Sequence, residues 1–282
     1  MCAIFGIGFM HNHRIKNSKA MKLIVKNMFA LSQDRGRRAT GIAVTNEKDV
    51  IVLKKDLPAS TFVNEQGYVD FVDRNIDFEN PARFKRPISI IGHCRLNTKG
   101  SPTNNNNNHP IVAENIIGVH NGHINNDDYL FKIFPEMHRR AEVDSEVIFR
   151  LINFFAYKKA KKGVVEVVDA IKQTAVLLQG GFACGFVTAK NPHMLYIFRD
   201  SAPIDVIYYP KVGVVMFSTS NRFIKKAVEV GDFGEKKEIP CPMNSGIVFN
   251  LHMNRMHKFK LKEERETIIR KRTPGFVTNA VG

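Results

Sequence analysis

Apolar positions along the chain recur at two periods, and the alternation between them predicts its elements. Residues 3–7 (Ala3, Ile4, Phe5, Gly6, Ile7) form an apolar run that reads as a buried strand. Over 19–33, Ala20, Met21, Leu23, Ile24, Met28 and Leu31 recur at spacings of three and four. That spacing predicts an amphipathic helix, ending near Gln33-Asp34-Arg35-Gly36. Residues 39–44 and 50–53 read as a hairpin with 46–49 as its turn. Across 58–86 the spacing of Phe62, Val63, Tyr68, Phe71 and Val72 predicts one short helix. A buried strand at 87–92 runs into His93-Cys94-Arg95-Leu96-Asn97-Thr98. Ser101-Pro102-Thr103 and the five Asn of 104–108 read as a polar loop with no packing value. Residues 116–120 form another strand, ending in Asn121-Gly122, a dipeptide suited to positive φ and tight turns.

Farther along, a helix starts at 126–134, and Asp144 or Ser145 is placed to cap an apolar-periodic helix. A second amphipathic helix covers 163–179. Strands follow at 181–188, 194–199, 204–209 and 214–218, then a short helix at 221–230 and a last strand at 245–250. Helices interleaved with hairpin-like strands predict an α+β fold with sheets packed between helix layers. One domain is expected over 2–250, with a basic C-terminal extension over 251–282 that forms no second core.

Composition narrows the class. With 282 residues, 44% of them hydrophobic, the chain can bury a large core. No apolar run approaches the ~20 residues of a membrane-spanning helix. The start lacks the basic and long apolar regions of a signal peptide. Four cysteines (Cys2, Cys94, Cys184, Cys241) show neither CxxC pairing nor His/Cys metal spacing. A reduced, cytoplasmic protein with no disulfide, metal or other cofactor is expected. The net charge of +15 is densest at 35–38, 158–162 and 258–272. Such clusters are usually solvated surface, but they also attract nucleic acid or an acidic partner.

The chemistry begins at Cys2. Removal of the initiator Met would leave a thiol and a free α-amine on one residue, a nucleophile with its own base. The thiol titrates near pKa ~8.5 and the amine about one unit lower. Cys2 heads an ordered series: Met1-Cys2-Ala3-Ile4-Phe5-Gly6-Ile7, Arg35-Gly36-Arg37-Arg38-Ala39-Thr40-Gly41-Ile42, Gly92-His93-Cys94-Arg95-Leu96-Asn97-Thr98, His120-Asn121-Gly122-His123-Ile124, and Glu142-Val143-Asp144-Ser145-Glu146. Taken singly, Asn121-Gly122 reads as a hairpin turn, Arg95 as a surface cation and Asp144 as a helix cap. His93, His109, His120 and His123 match no zinc spacing.

Taken in order, the series closely resembles the class II glutamine amidotransferase domain, an N-terminal-nucleophile hydrolase, over roughly residues 2–250. The resemblance implies a four-layer αββα sandwich. It implies Cys2 as nucleophile on the glutamine side-chain amide, and Asn121 (side chain) and Gly122 (backbone) as oxyanion hole. It further implies Arg95, aided by Thr98, on the substrate α-carboxylate, Asp144 on the α-ammonium, and Gly36 beside the substrate. Some positions depart from the family pattern. Ala3 stands where many members have Gly, Leu96 and Lys99 replace the aromatic residue and the His found in some members, and the Asn run falls where the family has a mobile substrate-covering segment. The expected function is a stand-alone glutaminase subunit that makes L-glutamate and passes ammonia to a separate acceptor enzyme. The alternatives are a catalytically silent module that binds nucleic acid or a protein through its basic surface, and a hydrolase for another amide.

Overall fold

The computed structural model describes residues 2–13, 15, 18–46, 49–76, 78, 86–96, 99–158 and 166–262. Strand β1 (Ala3–Phe9) leads to helix α1 (Ser18–Ser32), the hairpin β2 (Ala39–Thr45) and β3 (Val50–Lys55), helices α2 (Ala59–Phe62) and α3 (Gln66–Asn75), and β4 (Ile88–Arg95). Next come β5 (Ile111–Ala113), β6 (Ile116–Ile124), and helices α4 (Asp127–Ile133), α5 (Ser145–Asn153) and α6 (Val167–Leu177). The chain continues with β7 (Gly180–Thr188), β8 (Asn191–Arg199), β9 (Asp205–Tyr209), β10 (Val214–Ser218), α7 (Asn221–Ala227), β11 (Lys237–Glu238), β12 (Ser245–Asn250) and β13 (Arg255–Lys260).

These strands form two sheets. The first has the order β11-β9-β10-β1-β4-β2-β3, and the second β13-β12-β8-β7-β6-β5. Every pairing in both is antiparallel. Strand alternation sorts side chains into layers. On β1, Ala3, Phe5, Ile7 and Phe9 face a cluster built with Met21, Ile24, Val25, Met28 and Phe29 of α1. Ile4 points the other way, into a cluster between the sheets with Val119, Ala183, Ile197 and Phe217. The outer face of the second sheet buries Phe182, Phe186 and Phe198 against Val147, Ile148, Leu151 and Ile171 of α5 and α6. The order is helices, sheet, sheet, helices: the four-layer sandwich expected.

Four local expectations change. The stretch 58–86 holds two described helices, α2 and α3, because Pro58 starts a first turn that stops at Phe62. Helix α6 is shorter than predicted, and residues 159–165 lie outside the described residues. The dipeptide Asn121-Gly122 is no turn: β6 runs through it to Ile124, with Asn121 opposite Ala183 and Gly122 opposite Phe182 of β7. The strand at 245–250 is not the last either, since β13 pairs with it along its whole length. Much of the basic segment predicted beyond 250 (263–282) lies outside the described residues.

Candidate active site

Cys2 is placed by the pairing of β1. Ala3 lies opposite Cys94 and Ile4 opposite His93 on β4. On the other side Ile4 N donates to Thr219 Oγ1 (2.9 Å), and Thr219 N donates to Ile4 O (3.0 Å). One residue earlier, Cys2 is half-buried; its Sγ accepts from Leu96 N (3.4 Å) and its thiol donates to Leu96 O (3.6 Å). Burial pushes this thiol up, while the Leu96 backbone and the Arg95 charge pull the other way. It is a resting thiol that needs a base.

Gly36 explains how β4 can end there. Its φ of −164° is ordinary extended backbone, so conformation does not demand glycine. Space does: a Cβ would lie 2.4 Å from the Arg95 carbonyl carbon and 2.5 Å from Cys94 O. Arg38 N then donates to Arg95 O (3.0 Å), tying the same segment down.

Arg95 is buried at the end of β4. Its Nη1 donates to Asn108 Oδ1 (2.9 Å), and its Nη2 to the carbonyls of Lys99 (2.5 Å) and Gly100 (2.8 Å). The Asn run is therefore not the inert loop the sequence suggested: Asn107 and Asn108 are both 0% exposed. Asn107 Nδ2 donates to Ser101 O (3.0 Å) and Glu142 Oε2 (2.9 Å), and its Oδ1 accepts from Glu142 N (2.8 Å). Amides carry both donors and acceptors, so a run of them can satisfy a buried loop that apolar side chains could not. Lys99 continues the anchoring, 2.7 Å from Asp127 Oδ2, which Arg139 also holds at 2.9 Å.

Strand β6 brings Asn121 and Gly122 from the second sheet. The Asn121 side chain is fully buried, yet among the described residues neither its Oδ1 nor its Nδ2 has a partner. Gly122 has φ +143°, and a Cβ there would lie 2.0 Å from Gly181 O, so only glycine fits. Asp144 stands at the start of α5 but its carboxylate caps nothing in that helix. Instead Asp144 Oδ2 accepts from Ile124 N (2.7 Å) and lies 3.3 Å from His123 Nδ1. The other oxygen makes no hydrogen bond among the described residues, which leaves acceptor capacity open. Cys2 and Arg95 both lie within the electrostatic reach of Asp144.

Between the two halves lie three buried histidines. His93 of β4 stacks on His109, with centroids 4.1 Å apart and planes 17° from parallel. His120 of β6 shares its Nδ1 with Ser145 Oγ (2.8 Å). Burial pushes His93 down to about 3 and His120 to about 4, and lowers His109 strongly. All three are neutral spacers. Among the described residues, no group of three or more His, Cys, Asp or Glu is arranged to hold a metal ion.

The structure thus gathers Cys2, Gly36 and Arg95 at one end of β1 and β4, and Asn121 and Gly122 of β6 with Asp144 at the start of α5 on the facing side. Thr98 lies outside the described residues. A sequence reading missed Asn107, Asn108 and the Lys99–Asp127–Arg139 anchor; only the unusual density of amides beside Arg95 hinted at the first two.

A family model described as "Glutamine amidotransferase domain" matches residues 93–226, the stretch that carries Arg95, Asn121, Gly122 and Asp144. The chain carries a glutamine amidotransferase domain. The domain is 30% identical over 234 residues to a glutamine–fructose-6-phosphate aminotransferase (isomerizing) of Bacillus thuringiensis, covering 80% of this chain and 34% of that protein. The enzyme of the same name from Francisella tularensis is 25% identical over 263 residues, covering 90% and 38%. The chain therefore spans about a third of the length of these relatives. Among solved structures, glutamine phosphoribosylpyrophosphate amidotransferase from B. subtilis superposes with a TM-score of 0.62 at 15% identity, covering 93% of this chain and 49% of that one. The amidotransferase domain thus has the fold of the N-terminal-nucleophile amidotransferases.

Proposed function

We propose that the domain hydrolyses the side-chain amide of L-glutamine to L-glutamate and ammonia through a thioester on Cys2. After Met1 is removed, the α-amine of Cys2 takes the thiol proton as Sγ attacks the amide carbon. The carbonyl π-electrons move onto oxygen, where Asn121 Nδ2 and the Gly122 N–H receive them. Collapse expels ammonia, which carries away the proton held by the α-amine. Water then attacks the thioester and regenerates the thiol. Arg95 and Asp144 bind the α-carboxylate and α-ammonium, with Gly36 beside that end, and the Thr98 hydroxyl is assigned in this reading to assist Arg95. One cation and one anion match a zwitterion, and a guanidinium suits a carboxylate because it offers parallel donors.

The observation that carries this reading is the unpartnered amide of buried Asn121. An unsatisfied buried amide costs about 1–3 kcal/mol, so it is retained where something transient occupies it. In this reading the ammonia is used by a separate acceptor protein.

Intact-mass measurement of the purified chain, together with glutamate release by wild type and Cys2→Ala, tests the proposal. Loss of Met1 with glutamate formed by wild type alone is the expected result. Retained Met1, or equal release from both proteins, would refute it.

A further inference from the structure

The Arg95 guanidinium is aimed by a side chain that no motif singles out. Asn108 is fully buried, and its polar groups are all engaged. Its Oδ1 accepts from Arg95 Nη1 (2.9 Å), and its Nδ2 donates to Pro102 O (2.6 Å) and Asn105 Oδ1 (3.1 Å). Its own carbonyl accepts from Lys54 Nζ (2.9 Å), while Asn105 Nδ2 returns to Lys54 O (3.0 Å). Lys54 sits on β3, at the edge of the first sheet, so the chain of contacts runs from a sheet strand through Asn108 to the guanidinium. The remaining Arg95 contacts, Lys99 O and Gly100 O, belong to the loop that Asn108 fastens at Pro102.

The chemistry of the acceptor matters. A carboxylate at this position would aim the guanidinium equally well but would pair with its charge and compete with an incoming carboxylate. A carboxamide oxygen orients the fork and leaves the positive charge unspent. Asn107, its neighbour, is just as buried, but its amide bonds Glu142 and Ser101, and among the described residues it makes no hydrogen bond to Arg95.

We infer that Asn108, held from outside by Lys54, is the positioning residue that points Arg95 at the substrate α-carboxylate. The inference rests on the proposed grip of Arg95 on that group.

Steady-state glutaminase kinetics of wild type, Asn108→Ala, Asn107→Ala and Lys54→Met test it, with the rate of Cys2 alkylation by iodoacetamide as a check on the nucleophile. Asn108→Ala is expected to raise KM roughly 10- to 50-fold, the loss of one charge-assisted hydrogen bond, with kcat within about threefold. Alkylation should be unchanged. Lys54→Met, which loosens Asn108 without touching the site, should raise KM roughly 3- to 5-fold if Asn108→Ala fails to fold. Asn107→Ala loosens the same loop at Ser101 without removing a hydrogen bond to Arg95, and should raise KM less than Asn108→Ala does. Equal KM increases in the Asn107 and Asn108 variants, or a fall in kcat at constant KM, would overturn the inference. An inactive wild type would instead sink the glutaminase reading on which it rests, and that outcome is visible before any variant is compared.

Discussion

Lowering the pH from 7 to 5 is expected to weaken the fold through the imidazoles between its two sheets. Burial holds His93 at about 3 and His120 at about 4, with Asp144 pulling His120 partly back, and His109 is shifted the same way. In the unfolded chain these rings titrate near their ordinary value of 6.5. Below that value the unfolded state binds protons that the folded state refuses. Stability from these rings is therefore complete above pH 6.5 and is lost as pH falls, at about 1.4 kcal/mol per pH unit per ring. Between pH 7 and 5 each ring costs about 2 kcal/mol, so His93 and His120 together cost about 4 kcal/mol at most. That is a large part of the ~5–15 kcal/mol that holds a typical domain together. Urea unfolding followed by circular dichroism at pH 5, 6 and 7 measures the slope. His93→Gln, which keeps a polar group but does not titrate in this range, should lose one ring's share of it. A flat profile between pH 5 and 7, or an unchanged slope in His93→Gln, would refute the reasoning.

Two further outcomes follow from buried polar groups. Asn121→Ala removes an amide that has no partner among the described residues, so thermal stability should stay within about 1 kcal/mol of wild type while kcat falls roughly 10²- to 10³-fold; a matching loss of stability would show that the amide is structural. Glu146 accepts from the backbone of Arg140 and Ala141 and pairs with buried Arg150 at 2.9 Å. Glu146→Leu strands that guanidinium and should cost about 3–5 kcal/mol in denaturant unfolding; a cost below ~1 kcal/mol would show that Arg150 finds Glu114 as a substitute, from which it already lies 3.5 Å.

Much of the architecture was legible because it depends on period. The apolar run after Cys2, the three- and four-residue spacing of α1 and the alternation of β7 to β10 record which face meets a core. The site was legible through the order of its motifs. What stayed hidden depends on contacts between distant residues. Nothing local distinguishes Asn108 from Asn104, yet one is buried against Arg95 and the other caps a surface turn. Asn121-Gly122 has turn chemistry, but β7 alongside holds it extended. Strand β13 begins Arg255-Met256-His257-Lys258 with every side chain exposed, and only Phe259 and Leu261 show the alternation of a strand. A basic edge of that kind reads as a tail until its partner strand is known.

The placement of β1 also sets a timetable. It precedes the other described strands in the sequence, but its neighbours are β4 and, at Phe5 opposite Ser218, β10. At ~5–20 residues per second, Ser218 follows Phe5 by about 10–40 s. Until then one edge of β1 has no partner and the segment that carries Cys2 stays open at the ribosome. A variant that let β1 pair earlier, with a strand closer in sequence, would shorten the interval in which a peptidase can reach the bond before Cys2.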